Sequence, residues 1–132
     1  MKIFIYCIFL LGLYSSCKKE TNAVNAKLIL NSWRERSEES TFLQRKFVLS
    51  QTNTFDENVS FRQAFKFESP NILTLNLEGR DGKVRNVVGT WRIISGDILE
   101  ITYNNDFVAN FTKRYLVSSL TAELLLLSPI TN

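Results

Sequence analysis

The chain has 132 residues, 45% of them hydrophobic, with 16 basic and 13 acidic side chains, a net charge of +3 and no histidine. That length is a prior for one domain, so a multi-domain enzyme and a membrane channel are excluded. The absence of His removes Ser-His-Asp catalysis, the commonest general base and most zinc sites.

The N-terminus reads as a secretory signal. Lys2 is a short positive region, Ile3 to Leu13 is apolar apart from Gly12, and Tyr14, Ser15, Ser16 and Cys17 follow. About 20 apolar residues are needed to span a bilayer, so this run is too short for a permanent transmembrane helix. Leu13-Tyr14-Ser15-Ser16-Cys17 resembles a bacterial lipobox, in which the Cys is acylated and becomes the mature N-terminus. The other reading is an ordinary secretory signal with a chance Cys. Residues 1–16 are therefore expected to be a lipoprotein signal peptide, with Cys17 the lipidated residue and the membrane a partner through that anchor. Two or three acyl chains give stable anchoring. Lys18 is not the Asp associated with inner-membrane retention, so the expected location is the cell envelope, at the outer membrane. Cys7 leaves with the signal, so no disulfide can form within the mature chain.

Residues 17–26 are polar and small and read as a flexible tether. The domain proper is expected over 27–132. From Leu28 the pattern is mostly period two. Trp33 opens the first strand candidate. Phe42 to Leu49 sets Leu43, Phe47 and Leu49 on one face, interrupted by Arg45. Ser50 to Ser60 is the one long polar stretch, expected to be a mobile loop. Phe61, Phe65 and Phe67 share a side against Arg62 and Lys66. Leu73, Leu75 and Leu77 alternate in the next strand. Val84 to Ile94 is rich in β-formers and contains Trp91. Leu99, Ile101 and Tyr103 alternate with Glu100 and Thr102. Phe107, Phe111, Tyr115 and Val117 lie at even spacing, and Leu120 to Leu127 closes the chain.

These are about eight strand candidates at regular spacing. The breaks are turn chemistry: Ser69-Pro70-Asn71, Gly79-Arg80-Asp81-Gly82, Ser95-Gly96-Asp97 and Asn104-Asn105-Asp106. Short links favour antiparallel neighbours, so the expected connectivity is an up-and-down meander. Four consecutive Leu do not distinguish strand from helix by period. A final strand is expected there, because the meander would otherwise end on an exposed apolar edge.

The order of several blocks resembles a family. Leu30-Asn31-Ser32-Trp33 is followed by Phe65-Lys66-Phe67-Glu68 and Leu73-Thr74-Leu75. Gly89-Thr90-Trp91-Arg92-Ile93, Gly96-Asp97-Ile98-Leu99-Glu100-Ile101, Leu116 to Thr121 and Leu124 to Leu127 follow in order. Together with the lipobox this is similar to the small lipocalin-like lipoproteins of the Bacteroidota type. Asn31 departs from the Gly usual two residues before the first Trp. The resemblance implies an all-β fold: a small eight-stranded antiparallel up-and-down barrel preceded by a short helical turn. Closure would also remove sheet edges. An interior of that size is filled by side chains or holds one small ligand.

Little reactive chemistry is present. Asp56-Glu57 is two adjacent carboxylates, read as solvated, and no metal or cofactor is expected. The basic residues are scattered, so no nucleic-acid partner is expected. If Trp33 points inward, period two sends Glu35 inward too, where a carboxylate needs a partner. An Arg near the barrel mouth would supply one. Trp33, Phe65, Phe67, Trp91, Phe111 and Tyr115 form either the core or the wall of a ligand pocket. Arg92 or Arg114 is expected to stack on a Trp at the closed end. Two readings of function follow, both non-enzymatic and monomeric. One is a lipid-anchored binding module for a small apolar ligand, with Trp33, Glu35, Phe65, Phe67, Trp91, Phe111 and Tyr115 as its site. The other is an interaction module with a filled barrel, docking an envelope partner.

Overall fold

The computed structural model describes residues 24–50 and 63–131. The signal segment, Cys17, most of the expected tether, Phe61, Asp56-Glu57 and residues 51–60 lie outside the described residues. A single helical turn, α1 (Ala26–Ile29), precedes eight strands: β1 (Ser32–Glu35), β2 (Arg45–Leu49), β3 (Ala64–Glu68), β4 (Ile72–Glu78), β5 (Val84–Ile94), β6 (Ile98–Tyr103), β7 (Phe111–Leu120) and β8 (Leu124–Ile130). A 3-10 turn, Ser37–Glu39, lies between β1 and β2. The strands form one closed antiparallel barrel, the expected all-β architecture.

Around the barrel the order is β1-β2-β8-β7-β6-β5-β4-β3. The up-and-down order thus runs unbroken from β3 to β8, and the β1–β2 hairpin closes the ring in inverted sense. Trp33 of β1 is opposite Leu49 of β2 on one side and Phe65 of β3 on the other. β2 completes the barrel against β8, with Phe47 opposite Leu125. β2 and β3 therefore run parallel, flanking β1. Parallel strands need a long connection, and the one long polar stretch of the sequence is what joins them. The inference from short links to sequential neighbours holds wherever the links are short and breaks where the link is long.

Alternate residues fill the interior. Trp33, Phe47, Phe65, Leu73, Leu75, Leu99, Ile101, Leu125 and Leu127 are all buried, and the four-Leu run is a strand with Leu125 and Leu127 inward. A bulge between Val117 and Ser119 lets both Val117 and Leu120 face the core despite their odd spacing.

One end of the barrel is sealed. Asn25 caps α1, its side chain accepting from the Lys27 N–H at 3.1 Å, and Ile29 plugs the base. The Trp33 indole N–H donates to the Ile29 carbonyl at 3.0 Å, and the Asn31 amide donates to the Leu28 carbonyl at 3.2 Å. The Trp91 indole N–H donates to the Glu68 carbonyl at 3.0 Å. Val24, within the span expected to be tether, already donates to the Gly96 carbonyl at 2.8 Å. The tight link at Ser95 and Gly96, both with positive φ (53° and 82°), lies at this base.

Two strands start later than their apolar patterns suggest. β2 begins at Arg45, not Phe42, because Thr41 builds a turn: its N–H donates to the Gln44 carbonyl at 2.7 Å and its hydroxyl accepts from the Gln44 N–H at 3.1 Å. β7 begins at Phe111, not Phe107. The Asn105 side chain accepts from the Phe107 and Val108 N–H groups, and the Asn104 side chain accepts from that of Asn110. Asn side chains of this kind compete with strand pairing. Phe42, Leu43, Phe107 and Val108 are exposed as a result.

Candidate functional site at the barrel mouth

The end opposite α1 is the mouth. Strand direction places there the links 36–44, 79–83 and 104–110, together with the end of β8. Inward-facing positions at the tops of β1, β2, β6 and β7 bring Glu35, Arg45, Tyr103, Phe111, Lys113 and Tyr115 to this rim. Lys113 shares their face because it stands opposite Ile101, between Phe111 opposite Tyr103 and Tyr115 opposite Leu99.

Glu35 is nearly fully buried, and its partner is Arg45. The Arg45 Nε and Nη2 groups each donate to one Glu35 carboxylate oxygen at 2.5 Å. A bidentate pair fixes both side chains, and Glu35 holds the Arg45 guanidinium above its ordinary pKa. An inward Glu35 with an Arg beside it at the mouth is the arrangement the alternation predicts. Burial, with a smaller contribution from Tyr103, pushes the Tyr115 phenol up to about 12, so it is a hydrogen-bond donor at any physiological pH. Burial also raises Tyr103. Lys113 is lowered, first by burial and then by the nearby Arg45 charge. Its ammonium lies 5.6 Å from the Phe111 ring centre, within cation–π range.

Two open depressions meet at Arg45. One, of about 530 Å³, lies beside Glu35, Ser37, Ser40, Phe42 and Leu43. The other, of about 480 Å³, is lined by Phe111, Lys113 and Tyr115, with Pro129 and Ile130 of β8. Pro129 and Thr131 border both.

The residues expected to form a site separate into two groups. Glu35, Phe111 and Tyr115 are at the mouth. Trp33, Phe65, Phe67 and Trp91 lie deeper and pack on one another: Phe65 and Phe67 at 5.7 Å between ring centres, and Phe67 and Trp91 edge-on at 5.5 Å. Phe47 and Tyr115 complete this cluster, 5.1 Å and 6.5 Å from Phe65. Arg45 and Lys113 are mouth residues that the pattern reading did not single out. Both carried a signal: each is a cation at an even-spaced, otherwise apolar position of its strand.

Arg92 and Arg114 do not stack on a Trp. Both tryptophan indoles are tied to backbone at the base, and the two arginines are on the outer face, bonded to Glu100 at 2.6 Å and 2.8 Å. The cation–π contacts are instead at the mouth, Lys113 with Phe111 and Arg80 with Phe107, the latter at 4.2 Å. Among the described residues no group of three or more His, Cys, Asp or Glu is placed to hold a metal, and no helix is long and apolar enough to cross a membrane. In comparisons with known proteins, no protein family, curated protein or solved structure matches this chain.

Proposed function

We propose that the protein is a lipocalin-like, lipid-anchored envelope lipoprotein, a monomer held at the outer membrane through Cys17. Its barrel is a non-enzymatic binding module for a small apolar ligand. The observation that supports ligand binding is the paired depression at the mouth. It has apolar walls in Phe42, Leu43, Phe111, Pro129 and Ile130, charged and phenolic groups in Glu35, Arg45, Lys113 and Tyr115, and Ser, Thr and Arg114 side chains at its borders. Apolar walls with few, well-placed polar groups are the usual composition of small-molecule sites. The aromatic cluster of Trp33, Phe65, Phe67 and Trp91 then serves as the floor and not the wall, so the ligand occupies the upper part of the barrel.

A second reading, an interaction module with a filled barrel, is favoured by the exposure of Phe42, Leu43, Phe107 and Val108 on the same rim. Titration of the neutral fluorophore phenylnaphthylamine into the unlipidated Cys17→Ser protein separates the two. Ligand binding predicts saturable enhancement in the micromolar range. Phe111→Asp is expected to weaken it about tenfold, with unchanged near-ultraviolet circular dichroism. No enhancement in the folded protein overturns the ligand reading and leaves the docking module.

A further inference from the structure

We infer that the ligand of the mouth carries one negative charge, a carboxylate-type head bound by Lys113 and the Tyr115 hydroxyl beside Arg45. This rests on the ligand-binding reading above and adds the chemical class.

The links around the mouth carry charges of both signs, but among the inward-facing rim side chains Glu35, Arg45 and Lys113 the charge is unbalanced in one direction. Arg45 is committed to Glu35 through both Nε and Nη2, so that pair is neutral and self-satisfied. Lys113, on the same inward surface, has no carboxylate within ion-pair distance among the described residues. It rests over the Phe111 ring, which leaves its ammonium open to a further partner. Glu35, Arg45 and Lys113 together carry one net positive charge, which a monoanion neutralises and a dianion overshoots.

Tyr115 supplies the second contact. It is 6% exposed, and its hydroxyl has no hydrogen-bond partner among the described residues. Buried hydroxyls are nearly always bonded, because leaving one unmade forfeits its hydration without return. Tyr115 lines the same 480 Å³ depression as Lys113. A protonated phenol and an ammonium are both donors, and an oxyanion accepts from both at once. Thr112, Arg114 and Thr131 also border the depression, but Arg114 is committed to Glu100 on the outer face, and Phe111, Pro129 and Ile130 supply an apolar wall for the body attached to the head.

The test compares dansyl-labelled undecanoic acid with its methyl ester in the Cys17→Ser protein at neutral pH and low salt. The acid is expected to bind about tenfold or more tightly than the ester. Lys113→Met should bring the acid down to the affinity of the ester. Lys113→Arg should keep most of the preference, and Tyr115→Phe, which preserves the ring packing, should reduce it. Equal binding of acid and ester by the wild-type protein overturns this inference and leaves the ligand-binding reading intact. A preference that survives in folded Lys113→Met overturns the assignment of the head to Lys113. Failure of both dansyl compounds together with phenylnaphthylamine removes the ligand-binding reading itself.

Discussion

Glu100 stands on the outer face of β6, in register with Arg92 of β5 on one side and Arg114 of β7 on the other. The arginines are largely exposed, yet between them they cover the carboxylate, whose side chain is 8% exposed. Arg114 and then Arg92, by hydrogen bonding, hold the Glu100 carboxyl below its ordinary value of 4.5. A carboxyl lowered in the folded state adds stability at pH values above its unfolded pKa, and loses it as pH falls through the folded one. Glu100→Gln should therefore lower the urea midpoint at neutral pH. The gap from wild type should narrow as pH drops below 4.5. A gap that stays constant from neutral to strongly acid pH would show that the charge contributes nothing. Glu35 is the opposite case: it faces inward, so its partner had to come from the same end of the barrel. Period two in β1 made its direction legible. The identity of that partner, Arg45, depended on where β2 begins.

Within the strands, β5 and β6 depend on one small residue. Gly89 lies where the top of β6 passes over β5, opposite Leu73 of β4. A Cβ added there would lie 2.3 Å from the Thr102 carbonyl oxygen and 2.9 Å from the Tyr103 Cβ. Both neighbours are close to backbone and cannot swing away. Gly89→Ala should therefore cost about 1–3 kcal/mol, the range for overpacking a well-packed site. Val88→Ala, one residue away on the exposed face, should change the urea midpoint little. Equal midpoints for Gly89→Ala and wild type would mean that β5 and β6 separate at no cost. β7 shows a different rule at work. Its inward residues Phe111, Lys113, Tyr115 and Val117 follow period two, and the bulge after Val117 resets the period so that Leu120 also packs inward. A charge standing in an apolar alternation is either a register error or a mouth residue, and the register of β6 with β7 decides for the mouth.

At the scale of the whole molecule, closure rests on the first hairpin. Only β1 and β2 separate the two ends of the β3–β8 meander, through Trp33 opposite Phe65 and Phe47 opposite Leu125. Removing residues 24–50 would expose β3 and β8 as edges, with Phe65, Phe67, Leu125 and Leu127 uncovered. Open apolar edges recruit further strands, so a fragment beginning at residue 63 is expected to aggregate. Adding a peptide of residues 24–50 should restore solubility and the near-ultraviolet circular dichroism of packed Trp91. A soluble monomeric fragment would contradict the requirement for closure. The same hairpin sets the polarity of the molecule. The chain enters at the sealed base, where Val24 binds Gly96, and the Arg45 mouth opens at the far end.

The sequence by itself determined the class of the fold. Alternation over β3 to β8 reports which side of each strand is apolar, and a half-buried strand needs nothing else to declare itself. Turn residues with short links then made the antiparallel neighbours of that meander legible. Trp33 and Glu35 were legible as inward for the same reason. What only the tertiary structure decided is how the ring closes and which side chains meet at its mouth. Pairing β2 with β8 joins residues far apart in the chain, such as Phe47 and Leu125. A long link carries no local signal of where its ends go. Asn and Thr side chains moved the starts of β2 and β7, which turned Leu43 and Phe107 from expected core into rim. Arg45 and Lys113 meet at one depression across the end of β8, whose register sets Leu127 opposite Arg45 and Ile130 opposite Arg114. Proximity across a closed sheet is a property of its register, which local periodicity does not encode.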